Sequence, residues 1–126
     1  MQHARPLDAA PFSGSYDPED VTFLLKPVTL QPTSVAEKEL LIQSGRRHYS
    51  EMIPPEPVPG ANYLALYRDA LTRNAPRLAQ DVASLAAALA ARSKGRVVIA
   101  SLARAGTPIG VLLLRALRRL GLRATH

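Results

Sequence analysis

The sequence predicts an α/β fold, rich in helix and preceded by an irregular, proline-rich N-terminal region. Three observations predict it. Residues 96–101 (RVVIAS) hold a short continuous apolar run, as a parallel strand covered on both faces requires. Residues 61–92 and 107–120 place apolar side chains at helical spacing. Nine of the eleven prolines fall before residue 60, which keeps long regular elements out of the first half. The expected division is a flexible lead-in over 1–13, an irregular helical region over 14–60 and the start of an α/β domain over 61–126.

Each element has a local reason. Asp17, Pro18, Glu19 and Asp20 form a helix start: a cap, a first-turn proline and two acids facing the dipole's positive end. Val21, Leu24 and Leu25 give that helix an apolar face, and Lys26 before Pro27 ends it. Ser34 and Glu37 make a capping box that opens a helix through Ile42, with Gly45 at its C-terminal end. Residues 54–59 (PPEPVP) are extended or polyproline-like and read as a linker. A helix then runs from Ala61 to about Arg73 with Leu64, Tyr67 and Leu71 on one stripe, Tyr67 being core. Residues 74–76 (NAP) break it, and a second helix runs from about Arg77 to Arg92 with Leu78, Val82, Leu85 and Leu89 facing inward. After the strand at 96–101, Thr107 is the expected N-cap and Pro108 the first residue of a helix to Leu120, apolar enough to be buried. A second parallel strand ought to begin at Leu122. One strand of an open sheet cannot bury its faces alone, so the chain reads as the N-terminal part of a longer protein, truncated in mid-domain.

Composition narrows the function. With no cysteine, a disulfide framework, a thiolate metal site and a cysteine nucleophile are excluded within these 126 residues. The start lacks the apolar core of a signal peptide, and the apolar tracts at 85–91 and 109–114 are too short to span a bilayer. The expectation is a cytoplasmic protein with no membrane partner. The net charge of +6 hides an asymmetry: residues 1–60 carry five basic and eight acidic side chains, residues 61–126 eleven and two. A basic second half attracts phosphorylated metabolites or nucleic acid. Aromatics for base stacking are sparse there, only Tyr63 and Tyr67, so a phosphorylated small molecule is the expected partner rather than nucleic acid.

The most informative stretch is the corner after the strand, Ala103, Arg104, Ala105, Gly106 and Thr107. Gly106 permits geometry closed to other residues, and such a turn aims backbone N–H groups and a helix dipole at one spot past the strand's carboxyl end. Arg104 adds a bidentate charge contact. The reading is an anion site for phosphate or pyrophosphate; the alternative is a corner made of Gly, Thr and Pro for its shape alone. Arg46, Arg47 and His48 form a second candidate: either an accessory phosphate contact, with His48 as general acid, or a polar loop at a helix end. Ser13 and Ser15 are read either as phosphate donors or as plain caps. Asp17 and Asp20 lack the further oxygen ligands a metal needs, and no metal-binding residue is assigned.

Residues 12–26 (FSGSYDPEDVTFLLK), 39–54 (ELLIQSGRRHYSEMIP) and 101–110 (SLARAGTPIG) together resemble the StiP family, over about residues 12–122. The family is encoded beside bacterial tellurite-resistance and stress genes. It is described as phosphoribosyltransferase-like and also labelled a cysteine protease. The resemblance implies the N-terminal portion of a type I phosphoribosyltransferase-like core. Residues 103–107 would be its pyrophosphate-binding loop, with Mg²⁺ accompanying the diphosphate and phosphoribosyl pyrophosphate or a nucleotide-like metabolite as ligand. Arg104-Ala105-Gly106 stands where many such enzymes have Arg-Gly-Gly, and the acidic ribose-phosphate loop would lie downstream of His126. On this reading these residues alone would be inactive. Two alternatives stay open: a cysteine protease with its catalytic residues beyond this stretch, and a non-catalytic nucleotide-binding regulator.

Overall fold

The computed structural model describes residues 10–126, so most of the expected flexible lead-in over 1–13 lies outside the described residues. In chain order they form helix α1 (Val35–Gln43), a 3₁₀ turn (Tyr49–Glu51), helix α2 (Ala61–Arg92), strand β1 (Arg96–Val98), helix α3 (Gly106–Arg119) and strand β2 (Arg123–Thr125). This is a small, helix-rich α/β arrangement with a two-stranded parallel sheet. One β–α–β crossover is shared by every open parallel sheet, so it does not single out the phosphoribosyltransferase core. Contacts divide the chain into a unit comprising residues up to Lys26 with Tyr67–His126, and a second unit, Pro27–Leu66.

The first unit is built around α3. Arg96, Val97 and Val98 pair in parallel with Arg123, Ala124 and Thr125. The strand expected after Leu122 is therefore present. Val111, Leu113, Leu114 and Leu117 are buried along α3, and Leu114 and Leu117 are fully enclosed. Ala86 and Ala124 close over them, with Val82, Leu89, Ala90, Val97 and Ile99 packed alongside. Fully burying a leucine is worth about 1.5–3 kcal/mol, so these two carry much of the cohesion of a core this small. The inward stripe of α2 thus runs through Val82, Ala86, Leu89 and Ala90, whereas Leu78 and Leu85 are exposed. Alanine lets the helix backbone approach closely where leucine would hold it off. β1 is covered on one face only, because Val98 is 68% exposed; the expectation of a strand buried on both sides is corrected.

Three further expectations are corrected. The cap signals at 17–20 produce a turn, with Asp20 N–H donating to Asp17 O at 2.9 Å, and no helix follows. The chain instead runs back so that Phe23 bridges Phe12, their rings 5.3 Å apart, with Gly14 turning at φ 62° beneath the Phe23 ring. Tertiary contacts to Asp20, Val21 and Phe23 outweigh a short helix's weak propensity. The break at residues 74–76 is also absent: α2 is continuous for 32 residues with Pro76 inside it. Proline removes one hydrogen bond to the Thr72 carbonyl, but residues 61–81 are exposed and water can replace it. The Asn74 side chain adds a bond to Ala70 O at 2.7 Å. Tyr67, expected in the core, is 57% exposed on this helix. Pro76→Ala is expected to strengthen α2 by about 1–3 kcal/mol. Thermal melts followed by circular dichroism check this, since the variant should melt later and with more helix.

The second unit follows its local code closely. Ser34 Oγ accepts from Glu37 N–H at 3.3 Å and caps α1, and Gly45 closes it at φ 67°. Thr33 N–H donates to Ile53 O at 2.9 Å, with Thr33 and Met52 buried. Among the described residues no helix is long and apolar enough to cross a membrane.

Candidate functional site

The loop expected to hold pyrophosphate lies where the sequence puts it, between β1 and α3 at the carboxyl end of the sheet. Open parallel sheets bind ligands at that edge. Its hydrogen bonding differs from the expectation. α3 begins at Gly106 after Ala105, which is already helical (φ −64°, ψ −31°) and gives no side-chain cap. Thr107 is not the cap; it is a buried residue of the first turn. Gly106 N–H donates to Leu102 O at 3.0 Å and Thr107 N–H to Arg104 O at 3.2 Å. Pro108 has no N–H to offer. The first three helix positions therefore have no amide left for an anion. Leu102, Ala103, Arg104 and Ala105 donate no backbone hydrogen bond among the described residues, and all four are exposed. The Ala103–Arg104 peptide is cis, and Arg104 makes no ion pair among the described residues.

Beside this loop stands a constellation that local sequence patterns do not reveal. Ser101 follows β1 and His126 follows β2, and Ser101 Oγ hydrogen-bonds His126 Nε2. His126 Nδ1 faces the backbone carbonyl of Asp20 at 3.2 Å. A carbonyl only accepts, so Nδ1 carries the hydrogen; the neutral ring then offers its Nε2 lone pair to the serine hydroxyl. Thr22 N–H donates to His126 O at 2.9 Å, so residues 20–22 hold His126 by both backbone and ring. Asp20 is in turn gripped by Arg115, whose Nε donates to Oδ1 at 2.9 Å while Nη2 reaches Oδ2. Asp17 lies 3.6 Å from the same guanidinium. Small residues on α3 make room for the pair. A Cβ on Gly110 would overlap the His126 ring and lie 2.6 Å from Ser101 Oγ, and one on Gly106 would be 3.1 Å from Ser101 Cβ.

The Arg115 guanidinium, hydrogen-bonded to Asp20, holds its carboxyl below the ordinary 3.8; burial opposes this, and the charges of Arg115 and Arg118 add to it. A depressed folded value means that Asp20 contributes stability above the unfolded value, and that this is lost as pH falls through the folded one. Asp20→Asn should therefore be less stable than the parent at neutral pH. The gap should close on acidification below about pH 4, as melting points measured across that range would show.

Arg46, Arg47 and His48 lie in the other unit, after α1. The Arg46 and Arg47 N–H groups both donate to Leu41 O, as at a helix end. His48 N–H donates to Glu51 Oε2 at 3.2 Å, and its ring lies against Tyr49, centroids 4.3 Å apart and planes tilted by 45°. Ser13 O accepts from Tyr16 N–H in the Gly14 turn. No group of three or more His, Cys, Asp or Glu gathers among the described residues, and both oxygens of Asp20 are engaged by Arg115.

A family model described as "Tellurite-like stress resistance cysteine protease StiP" matches residues 14–126. The chain belongs to the StiP family. "Cysteine protease StiP" of Acinetobacter baylyi is 49% identical over 115 residues, covering 91% of this chain and 30% of that protein. The chain thus spans about a third of its StiP relative's length. No solved structure matches it. The StiP description corrects the transferase expectation: the family is named for stress resistance and cysteine proteolysis, not for phosphoribosyl transfer.

Proposed function

We propose that this chain is part of a stress-resistance cysteine protease. The match of residues 14–126 to a family described in those words carries the reading, and the StiP relative supports it. A cysteine protease needs a thiolate that attacks the peptide carbonyl and an imidazole that moves its proton. These 126 residues contain no cysteine, so the thiol comes from elsewhere in the complete protein. This stretch contributes the β1–α3–β2 corner, whose exposed loop residues, with amides that donate to no backbone carbonyl among the described residues, stand at the carboxyl end of the sheet.

The test uses the intact protein and an unfolded protein substrate such as casein. Hydrolysis that iodoacetamide abolishes is the expected result. Absence of hydrolysis, or hydrolysis indifferent to thiol alkylation, overturns the reading.

A further inference from the structure

We propose that Ser101 is a nucleophile activated by His126, forming a serine–histidine dyad that takes acyl groups from esters or amides. This goes beyond the protease reading, because it assigns a second, oxygen nucleophile to the chain itself.

Four observations converge. The Ser101 hydroxyl meets His126 Nε2, the nitrogen left as acceptor once Nδ1–H is committed to the Asp20 carbonyl. That is the relation a general base needs to a hydroxyl nucleophile, with a third group fixing the base. The fixing group is itself fixed: Arg115 grips the Asp20 carboxylate, and Thr22 N–H holds the His126 carbonyl. Gly110 and Gly106 keep α3 close without filling the space that Ser101 and His126 occupy. The pair is half-buried, and the next four residues, Leu102 to Ala105, are exposed and their amides donate to no backbone carbonyl among the described residues. The amide after a nucleophile is a natural oxyanion donor, and the positive end of α3 adds to the same field.

The step balances without a cofactor. Ser101 Oγ attacks the acyl carbon while its proton passes to His126 Nε2. The tetrahedral oxyanion forms beside the loop amides. The bond to the leaving alkoxide or amine then breaks, and His126 returns the proton to it. An acyl-Ser101 remains; water, deprotonated by the same imidazole, attacks its carbonyl, the acyl–Oγ bond breaks, the proton returns to Ser101 Oγ and the acid leaves. Ser101 and His126 are the catalytic residues; Asp20 and Arg115 are positioning residues.

The experiment treats the intact protein with a fluorophosphonate, which forms an Oγ–P bond and expels fluoride, and locates the adduct by peptide mass spectrometry. The expected result is an adduct on Ser101 in folded protein and none in urea-unfolded protein. His126→Asn should slow labelling by about 100-fold or more, the usual worth of a general base. No adduct at Ser101 in the folded wild type overturns the proposal, and so does equal labelling of folded and unfolded protein. A folded His126→Asn variant that labels at the wild-type rate overturns the base assignment. Prior alkylation with iodoacetamide separates the two readings. Ser101 labelling should survive it while casein hydrolysis does not, so either can fail alone.

Discussion

Gly110→Ala is expected to separate Ser101 from His126 and to destabilise the protein by about 1–3 kcal/mol. The added methyl would overlap the His126 ring and crowd Ser101 Oγ, and Gly110 itself is buried in α3, leaving no open side to which it could turn. Two routes of relief exist and both damage the site. Either His126 swings off the Asp20 carbonyl, or the β2 end parts from residues 20–22. Chemical denaturation measures the stability loss, and fluorophosphonate labelling measures the loss of the pair. Gly60→Ala is the control, because nothing lies within 4 Å of a Cβ there and the change should leave both readouts close to the parent. If Gly110→Ala keeps the parent's stability and reactivity, the close approach of α3 to the pair is not needed.

Leu114→Ala is expected to cost about 2–5 kcal/mol, the range for emptying a fully buried leucine site. Leu114 is wholly enclosed where α3 meets α2 and the sheet, and its neighbours are mostly Ala86, Ala124 and branched aliphatics with little length to reach across a void. A core of so few large side chains sits near the lower limit of stability, so a loss at the upper end of that range would leave no folded population. Equilibrium unfolding in urea distinguishes the outcomes. A shift below 1 kcal/mol would mean that the helices close over the gap.

What was legible in the sequence was what short-range chemistry decides. The Ser34–Glu37 box, Gly45 and the order strand, loop, helix, strand from Arg96 to Thr125 all rest on bonds between near neighbours or on an unmistakable apolar run. Residues 17–26 were misread because a helix start and a tight turn ask for the same residues. What decides between them is Asp20 meeting Arg115, 95 residues on. Pro76 was misread because proline's cost is finite, and a long, exposed, alanine-rich helix carries it. Tyr67 and Leu85 showed helical spacing without showing which angle of the helix faces the core. A loop between β1 and α3 was legible, but α3 starts at Gly106 rather than after a Thr107 cap, and the bonds from Gly106 and Thr107 rest on turn geometry that the residue types do not specify.

The Ser101–His126 pair is not legible locally, because 25 residues separate its members, the motif at 101–110 points to the loop rather than to its leading serine, and His126 has no motif around it. One signal could have found it. Once the second strand is expected after Leu122, pairing Arg96 with Arg123 sets His126 against Ile99, two residues from Ser101. Parallel register converts two distant strand ends into neighbours. That inference needs both strands placed before either residue looks unusual.

The hold that residues 20–22 exert on His126 also ties the pair to the longest-range closure of the fold. The β1–α3–β2 unit closes through contacts among residues 96–126, whereas the bond from His126 to Asp20 spans 106 positions. Closing so long a loop costs more chain entropy than closing the short ones, so this contact is the one that a loosened chain gives up most readily. The imidazole therefore keeps its fixed tautomer and its aim only while residues 20–22 stay docked. A half-folded chain would hold Ser101 and His126 near one another without the carbonyl that makes the histidine a directed base. Reactivity at Ser101 would then report completion of the fold, not merely the presence of its two residues.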